Sequence, residues 1–512
     1  MMRRKLAAIV LSGLLSLLTL SACGGENTST GNKKLQVLYN EPTAYSLQIG
    51  ESVEIPLQAE VGDKNYFSIN LQTDVHLVGY IHYENSKNSA QTNEEKIFIE
   101  AGAKEFAAFL DAFRVGAQGA YDKTITKLTL QNVGQKAGNV EVKSVGISSR
   151  SYDRNAELYI EDGKLKVGTS LSMGGALRHL EKLNADVVEY LDGEGNVCIK
   201  SNVDKTQVDM VTDAVNFINI HDLGREIQQS YYSLVGEKNG YAPTEEVLYD
   251  GTLYYNPVQA GSTGDKQSQI IDFSISEGII YVKTKPLEWF FDNTLSDSYM
   301  ENTYILDGSG TLRVRNRFVN FSQFIDMDKT GARLQELPAV YLVHPLNYFY
   351  SETVEGDIFD PYLAPLMTST QKLGLSHSVS GRYHYSLKNG KLKNEWSAFV
   401  NEDKFGVGIY MPGAQKYNAS RGFTTSRYDF FDNHHHEEDI HNLPAMKYTP
   451  SAYVCNYNYF SPTSQLLMRD FVPLEYEYAI FIGSVDEMRS VFQTYRDSQI
   501  IDNYSLNAWE WS

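Results

Sequence analysis

The sequence predicts an all-β protein, with a smaller jelly-roll-like β-sandwich followed by a large antiparallel sandwich. Three observations carry this. Short alternating apolar and polar segments recur along most of the chain, with turn dipeptides between them. The 35 Tyr and 23 Phe suit pleated, half-buried surfaces. Helical spacing is confined to two short places. A length of 512 residues allows two to four domains.

The first unit is expected over residues 35–150. Ser52-Val53-Glu54-Ile55-Pro56-Leu57 opens an alternation that continues at residues 67–71, 76–83, 96–100, 124–130 and 140–145. Strands this short, with turns between them, read as a sandwich. By general pattern the unit resembles a jelly-roll carbohydrate-binding module. Phe106, Phe109, Leu110 and Phe113 stand at i, i+3, i+4 and i+7, which predicts a helix there.

The second unit is expected over residues 157–500. Residues 158–160 and 165–168 read as a hairpin around Glu161-Asp162-Gly163. Further strands are predicted at 269–274, 279–283, 311–320, 339–344, 381–387, 405–410 and 477–482. Asp192-Gly193, Asp307-Gly308 and Asn389-Gly390 punctuate them. A closing helix is predicted over 486–495, with Met488, Val491 and Phe492 on one face. No fixed-period repeat is visible, which argues against a propeller or solenoid.

The amino terminus carries the most specific motif. Residues 1–5 are basic, 6–20 are apolar, and Leu20-Ser21-Ala22-Cys23 closes the segment. This order is that of a secretory signal, and its ending resembles a bacterial lipobox in which Cys23 is lipidated. Residues 1–22 are thus expected to be a signal peptide and 23–34 a flexible polar tether. No later run approaches the ~18 apolar residues of a spanning helix, so membrane attachment is expected through the lipid alone, outside the cytoplasm at the bacterial cell envelope.

The net charge is −19. This argues against nucleic acid as a partner, because such affinity rests on Lys and Arg neutralising phosphates. Cys198 and Cys455 lack CxxC spacing and read as two buried thiols, with a long-range disulfide left open.

Val167 to Leu177, with its Gly174-Gly175 turn, is followed by Asn216-Phe217-Ile218-Asn219-Ile220-His221-Asp222-Leu223-Gly224-Arg225, then Tyr255-Asn256-Pro257-Val258-Gln259 and Gln335-Glu336-Leu337-Pro338. Together these segments resemble the galactose mutarotase-like supersandwich of sugar epimerases and of domains in glycoside hydrolases and polysaccharide lyases. The His-Asp-x-Gly-Arg version is similar to a family of uncharacterised exported bacterial proteins. The resemblance covers about residues 157–500 and implies the fold. The epimerase His and Glu have no match here, so it implies no activity.

The chemistry is therefore read from the residues. His221 offers a base near neutral pH, and Arg225 offers a fork for a sugar carboxylate. Glu336 offers a general acid or base where burial raises its pKa. These three are the expected catalytic groups. Asp222, Gln228, Gln229, Tyr231, Tyr232, Asn256, Gln259, Lys283 and Trp289 are expected to bind substrate through hydroxyl, aromatic and charged contacts. An Asp222–Arg225 ion pair pinning a loop is the bland reading of the same motif. Arg313, Arg315 and Arg317 alternate on one strand face and read either as a solvated face or as a groove for an acidic polymer. The run His434-His435-His436 with His441 lacks metalloenzyme spacing and reads as surface histidines, with a metal or substrate site using two of them left as the alternative, and no cofactor is expected. The expected partner is a carbohydrate polymer, acidic or neutral, which the protein either cleaves or only captures.

Overall fold

The computed structural model describes residues 35–501, apart from 86–87, 113–122, 184–186, 192–196, 202–215, 219–225, 235–247, 250–251, 262–266, 290–294, 324–330, 344–345, 347, 362–381, 387–391, 402 and 425–454. Its described residues are almost entirely antiparallel β-structure, with one α-helix, Val485–Asp497.

Alternation builds the first sandwich. In Ser52–Glu60, Ile55, Leu57 and Ala59 point into the core while their neighbours face solvent, as a two-residue period requires. Nine strands divide into two sheets. One orders Gln36–Tyr39, Gly138–Ser148, Tyr66–Thr73 and Glu105–Phe109, with Thr43–Leu47 also on Gly138–Ser148. The other orders Ser52–Glu60, Lys123–Asn132, Leu77–Asn85 and Asn88–Ile99. From Thr43–Leu47 onward the chain crosses between the two sheets at every connection except the hairpin from Leu77–Asn85 to Asn88–Ile99, which is the jelly-roll arrangement.

The helix expected around Phe106 is instead the strand Glu105–Phe109, paired with Tyr66–Thr73. Phe106 approaches Tyr299 of the second unit at 6.4 Å between ring centroids, while Phe109 meets Tyr66 at 5.1 Å. The strand's burial is not confined to one face, so its hydrophobic pattern loses the period of two.

The second unit pairs a ten-stranded and a nine-stranded antiparallel sheet. Their inner faces meet. Phe399 packs edge-on to Phe460 at 5.4 Å, Tyr304 donates to the Gly175 carbonyl at 2.8 Å, and Tyr417 donates to the Glu395 carbonyl at 2.7 Å. The predicted hairpin around Asp162-Gly163 is present, and the strands Thr311–Asn320 and Phe405–Tyr410 keep their expected bounds. The closing helix starts with a capping box between Ser484 and Glu487. It lays Met488 and Phe492 against Trp396, Tyr410 and Ala479 on the outer face of the nine-stranded sheet.

Ion pairs and rings join the two units. Lys96 and Lys285 both reach Asp297, at 3.0 and 3.2 Å, Phe98 stacks on Phe321, and Arg150 pairs with Asp272. Burial pushes Asp297 up, but the two ammonium groups outweigh it and hold the carboxyl below its ordinary value.

Asp470 lies nearby. It accepts from Asn320 Nδ2 at 2.6 Å and from the Gln323 N–H at 3.1 Å. Burial pushes its carboxyl up to about 6, the two donors and Lys96 notwithstanding. The folded state therefore holds this proton more tightly than the unfolded chain, whose Asp titrates near ~3.9. The stabilising contribution is complete below about pH 4 and is lost as pH rises through 6. Asp470→Asn keeps an acceptor and removes the titration. At pH 7 the variant is expected to be about 2 kcal/mol more stable than the parent, and at pH 4 equal to it. Urea melts at the two pH values check this, and an unchanged pH slope in the variant would refute it.

Candidate active face on the ten-stranded sheet

The strand Arg333–Val343 organises the candidate site. It pairs on one side with Ile227–Ser230 and on the other with Cys455–Leu466. Directly paired residues share a sheet face. Ile227, Val340 and Phe460 are inward and fully buried. Ser230, Glu336 and Thr463 therefore form a row on the opposite, outer face, and Tyr341 and Tyr459 form the next such pair, with ring centroids 5.0 Å apart. A bulge between Glu336 and Val340 shifts the register on both sides, which brings the Tyr459 hydroxyl onto Glu336 Oε1. Bulges of this kind re-aim side chains.

The polarity of this pair is fixed by the phenol. Burial, and then the charge of Glu336, hold Tyr459 well above its ordinary value, so it remains a neutral donor at all physiological pH values. Glu336 is half-buried, between the buried Ser230 and Thr463 of the paired strands, and its carboxyl accepts from the Tyr459 hydroxyl. Such a carboxylate, oriented by a phenol, can move a proton or attack an electrophilic carbon.

The same strand also receives the segment that contains the His-Asp-x-Gly-Arg motif. Ile218 bridges to Leu342, and Ile227 pairs with Val340. The chain thus leaves and rejoins one strand edge two positions apart, with residues 219–226 between those points. His221, Asp222 and Arg225 themselves lie outside the described residues, as do Cys23, His344 and the histidines at 434–436 and 441.

Several expected binding residues are placed in the interior instead. Gln229, Tyr231 and Gln259 are fully buried. Gln229 Nε2 donates to Asn302 Oδ1 and to the Glu301 carbonyl, both at 2.9 Å, and Tyr231 donates to Gln229 Oε1 at 2.8 Å. Gln259 Nε2 donates to the Gly174 carbonyl at 2.9 Å and to Asn302 Oδ1 at 2.8 Å. These amides hold the two sheets together, and none presents a group to a glycan. Gln228 is buried and accepts from the Ala260 N–H at 2.9 Å, which pins the loop after Pro257–Val258.

The others have structural partners nearer the surface. The Tyr232 hydroxyl donates to the Leu334 carbonyl, and its main chain exchanges two hydrogen bonds with the Gln335 amide. The Trp289 N–H donates to the Asn256 carbonyl at 2.8 Å, and the Asn256 N–H donates to Glu288 Oε2 at 2.9 Å. Together they clasp the short pair Pro257–Val258 and Leu287–Glu288. Asn256 Oδ1 is buried without a partner among the described residues. Lys283 is 3.4 Å from Glu301 and lies over the Tyr299 ring at 4.5 Å. Lys283 thus belongs to Glu301, and the neighbouring Lys285 belongs to Asp297.

Sequence reasoning missed Tyr459, Asn302 and Asp470. A signal existed for Asn302 alone, which occupies an inward position between Met300 and Tyr304.

No family model matches the chain, and no curated protein matches it. Solved structures similar to it include an alpha-mannosidase from Enterococcus faecalis V583, with 9% identity and a TM-score of 0.29, over 91% of this chain and 45% of that one. A 4-alpha-glucanotransferase from Thermococcus litoralis has 9% identity and a TM-score of 0.23, over 65% of this chain and 38% of that one. A provisionally assigned mutarotase, YeaD, from Salmonella typhimurium has 9% identity and a TM-score of 0.26, over 66% of this chain and 93% of that one. The chain spans less than half the length of the first two. Likenesses at these scores carry no argument about activity, and the all-β antiparallel sandwich rests on the pairing of its own strands.

Proposed function

We propose that this chain is an exported lipoprotein, anchored through Cys23, whose galactose mutarotase-like supersandwich binds a carbohydrate polymer and cleaves it on the outer face of the ten-stranded sheet. One observation supports this reading. The strand Arg333–Val343 gathers Glu336, its phenol partner Tyr459 and both flanks of the segment holding His221, Asp222 and Arg225, which are over a hundred positions away in sequence. A carboxylate set among hydroxyls suits glycosidic-bond chemistry as acid, base or nucleophile. In a lyase the same face would work on a uronate: Arg225 neutralises the carboxylate, His221 takes the ring proton beside it, a C=C bond forms, and the C–O bond to the leaving sugar breaks as its oxygen takes a proton from water.

The test is a turnover screen of the chain from Gly24 onward against neutral and uronate polysaccharides. New reducing ends without ultraviolet absorbance mean a hydrolase, and both signals together mean a lyase. No turnover, with retardation on one polymer in affinity electrophoresis, means a noncatalytic glycan-binding lipoprotein. Silence in both assays refutes the reading.

The anchor has its own test. Cys23→Ser is expected to move the protein from the membrane fraction to the soluble fraction and to abolish incorporation of labelled fatty acid, since lipid alone would hold it there. Unchanged fractionation of the variant would refute a lipid anchor at this position.

A further inference from the structure

The outer face of the nine-stranded sheet carries a second charged feature. Three neighbouring strands, Ser298–Leu306, Thr311–Asn320 and Leu474–Ser484, set Thr303, Arg315 and Glu477 in one row and Glu301, Arg317 and Glu475 in the next. These six residues line an open trough of about 230 Å³, together with Asn316 and Tyr476 of the same strands. Ligand pockets commonly run from about 300 Å³ upward, so this one has room for no more than a small part of a ligand, such as one residue of a longer chain.

The ionic pairing in the trough is unequal. Arg317 is fully committed: it pairs with Glu475 at 2.7 Å, with Glu301 at 3.2 Å, and with Glu100 of the first sandwich. Arg313 also holds Glu477, with its Nε donating to Oε1 at 2.7 Å. Arg315 differs. Among the described residues only its Nε is engaged, donating to Glu477 Oε2 at 2.9 Å, and its side chain is 44% exposed. Glu477 is buried and held by two guanidinium groups, so it fixes Arg315 in place. A guanidinium oriented through Nε presents its two terminal nitrogens outward as a fork, which matches the two oxygens of a carboxylate.

We propose that Arg315 reads the carboxylate of a uronic acid residue in this trough, as a binding subsite separate from the face of Glu336. The surroundings select this ligand class. Thr303 and the half-exposed Glu475 are acceptors for sugar hydroxyls, with the carboxylates of Glu301 and Glu477 held beside them by Lys283 and the arginines. The same carboxylates disfavour a multiply charged phosphate or a sulfated chain, whose added charge they repel. A single carboxylate balances the one guanidinium edge left open. The proposal rests on the glycan reading but needs no turnover at Glu336.

Calorimetry on the chain from Gly24 onward, with a galacturonate trimer as probe and a neutral galactose trimer as control, tests it. Arg315→Met keeps the aliphatic stem and removes the fork, and Arg313 still holds Glu477. Uronate binding is expected to weaken at least about tenfold in this variant, as loss of a charge-assisted pair implies. Neutral binding should be unchanged, as should the melting temperature. Arg315→Lys should recover only part of the affinity, because a point charge lacks the fork. Glu336→Gln should bind the uronate trimer at this subsite as the parent does, which separates failure here from failure of the catalytic reading. Equal uronate affinity in parent and Arg315→Met, or equal losses for both trimers, overturns the proposal, as does absence of uronate binding in the parent.

Discussion

Asn302→Ala is expected to destabilise the second sandwich by about 4 kcal/mol, because its amide serves three others that are buried with it. Asn302 is inward and buried on the strand Ser298–Leu306. Its Oδ1 accepts from Gln229 Nε2 at 2.9 Å and from Gln259 Nε2 at 2.8 Å, and its Nδ2 donates to Asn316 Oδ1 at 2.8 Å. Asn316 in turn donates to the Tyr476 hydroxyl at 2.8 Å, and that hydroxyl lies 3.1 Å from the Tyr231 oxygen, whose own proton goes to Gln229. One side chain therefore links both sheets through a closed polar network. Truncation takes a partner from three buried amide groups at once, at about 1–3 kcal/mol each, reduced by the bonds that Gln229 and Gln259 keep to the Glu301 and Gly174 carbonyls. Urea unfolding followed by tyrosine fluorescence measures the effect. A loss below about 1 kcal/mol would mean that the network is not a structural junction.

The network also shows what the sequence could and could not disclose. Alternation was legible wherever one strand face meets solvent, as in Thr311–Asn320, where Leu312, Val314, Asn316 and Phe318 point inward between arginines. It failed in Glu105–Phe109, where the apolar residues are not confined to one face and their positions coincide with a helical spacing. It failed differently in Ile227–Ser230. All four residues there are buried, so Gln228 and Gln229 looked like a surface awaiting a ligand when Gln229 joins the two sheets and Gln228 pins a loop. Residue types announce hydrogen-bonding capacity, and only the pairing partner decides whether that capacity faces a substrate or the other sheet. Glu336 was legible as a candidate because it is a lone acid beside an apolar strand. Its partner Tyr459 was not, since a bulge between Glu336 and Val340 creates their contact and no local pattern encodes the shift. Gly174 is an intermediate case. The Gly-Gly turn was readable, but the stricter demand was not: a Cβ on Gly174 would lie 2.1 Å from the Gln259 carbonyl oxygen, with φ at +59°.

Glu336→Gln is expected to lower kcat on the glycan that the screen identifies by about 10²–10⁴-fold, with KM changed by less than about threefold. The amide preserves size and can still accept from Tyr459, so the sheet and the hydroxyl row should remain intact. What is lost is the exchangeable charge. Tyr459→Phe supplies the complementary measurement. It removes the donor that orients Glu336 while leaving the carboxylate, so a smaller loss, about tenfold, is expected. The phenol is held protonated far above neutrality by burial and by Glu336, so the rate profile should show no limb from this tyrosine below about pH 9. In Tyr459→Phe the carboxylate loses a hydrogen bond that favours its ionised form, so the acid limb of the profile should move to higher pH. A merely structural Tyr459 would lower the rate without moving that limb. The pH profile therefore distinguishes a positioning role from a packing role. If Glu336→Gln retains full turnover, chemistry does not occur at this carboxylate, and the outer face of the ten-stranded sheet is left as a binding surface.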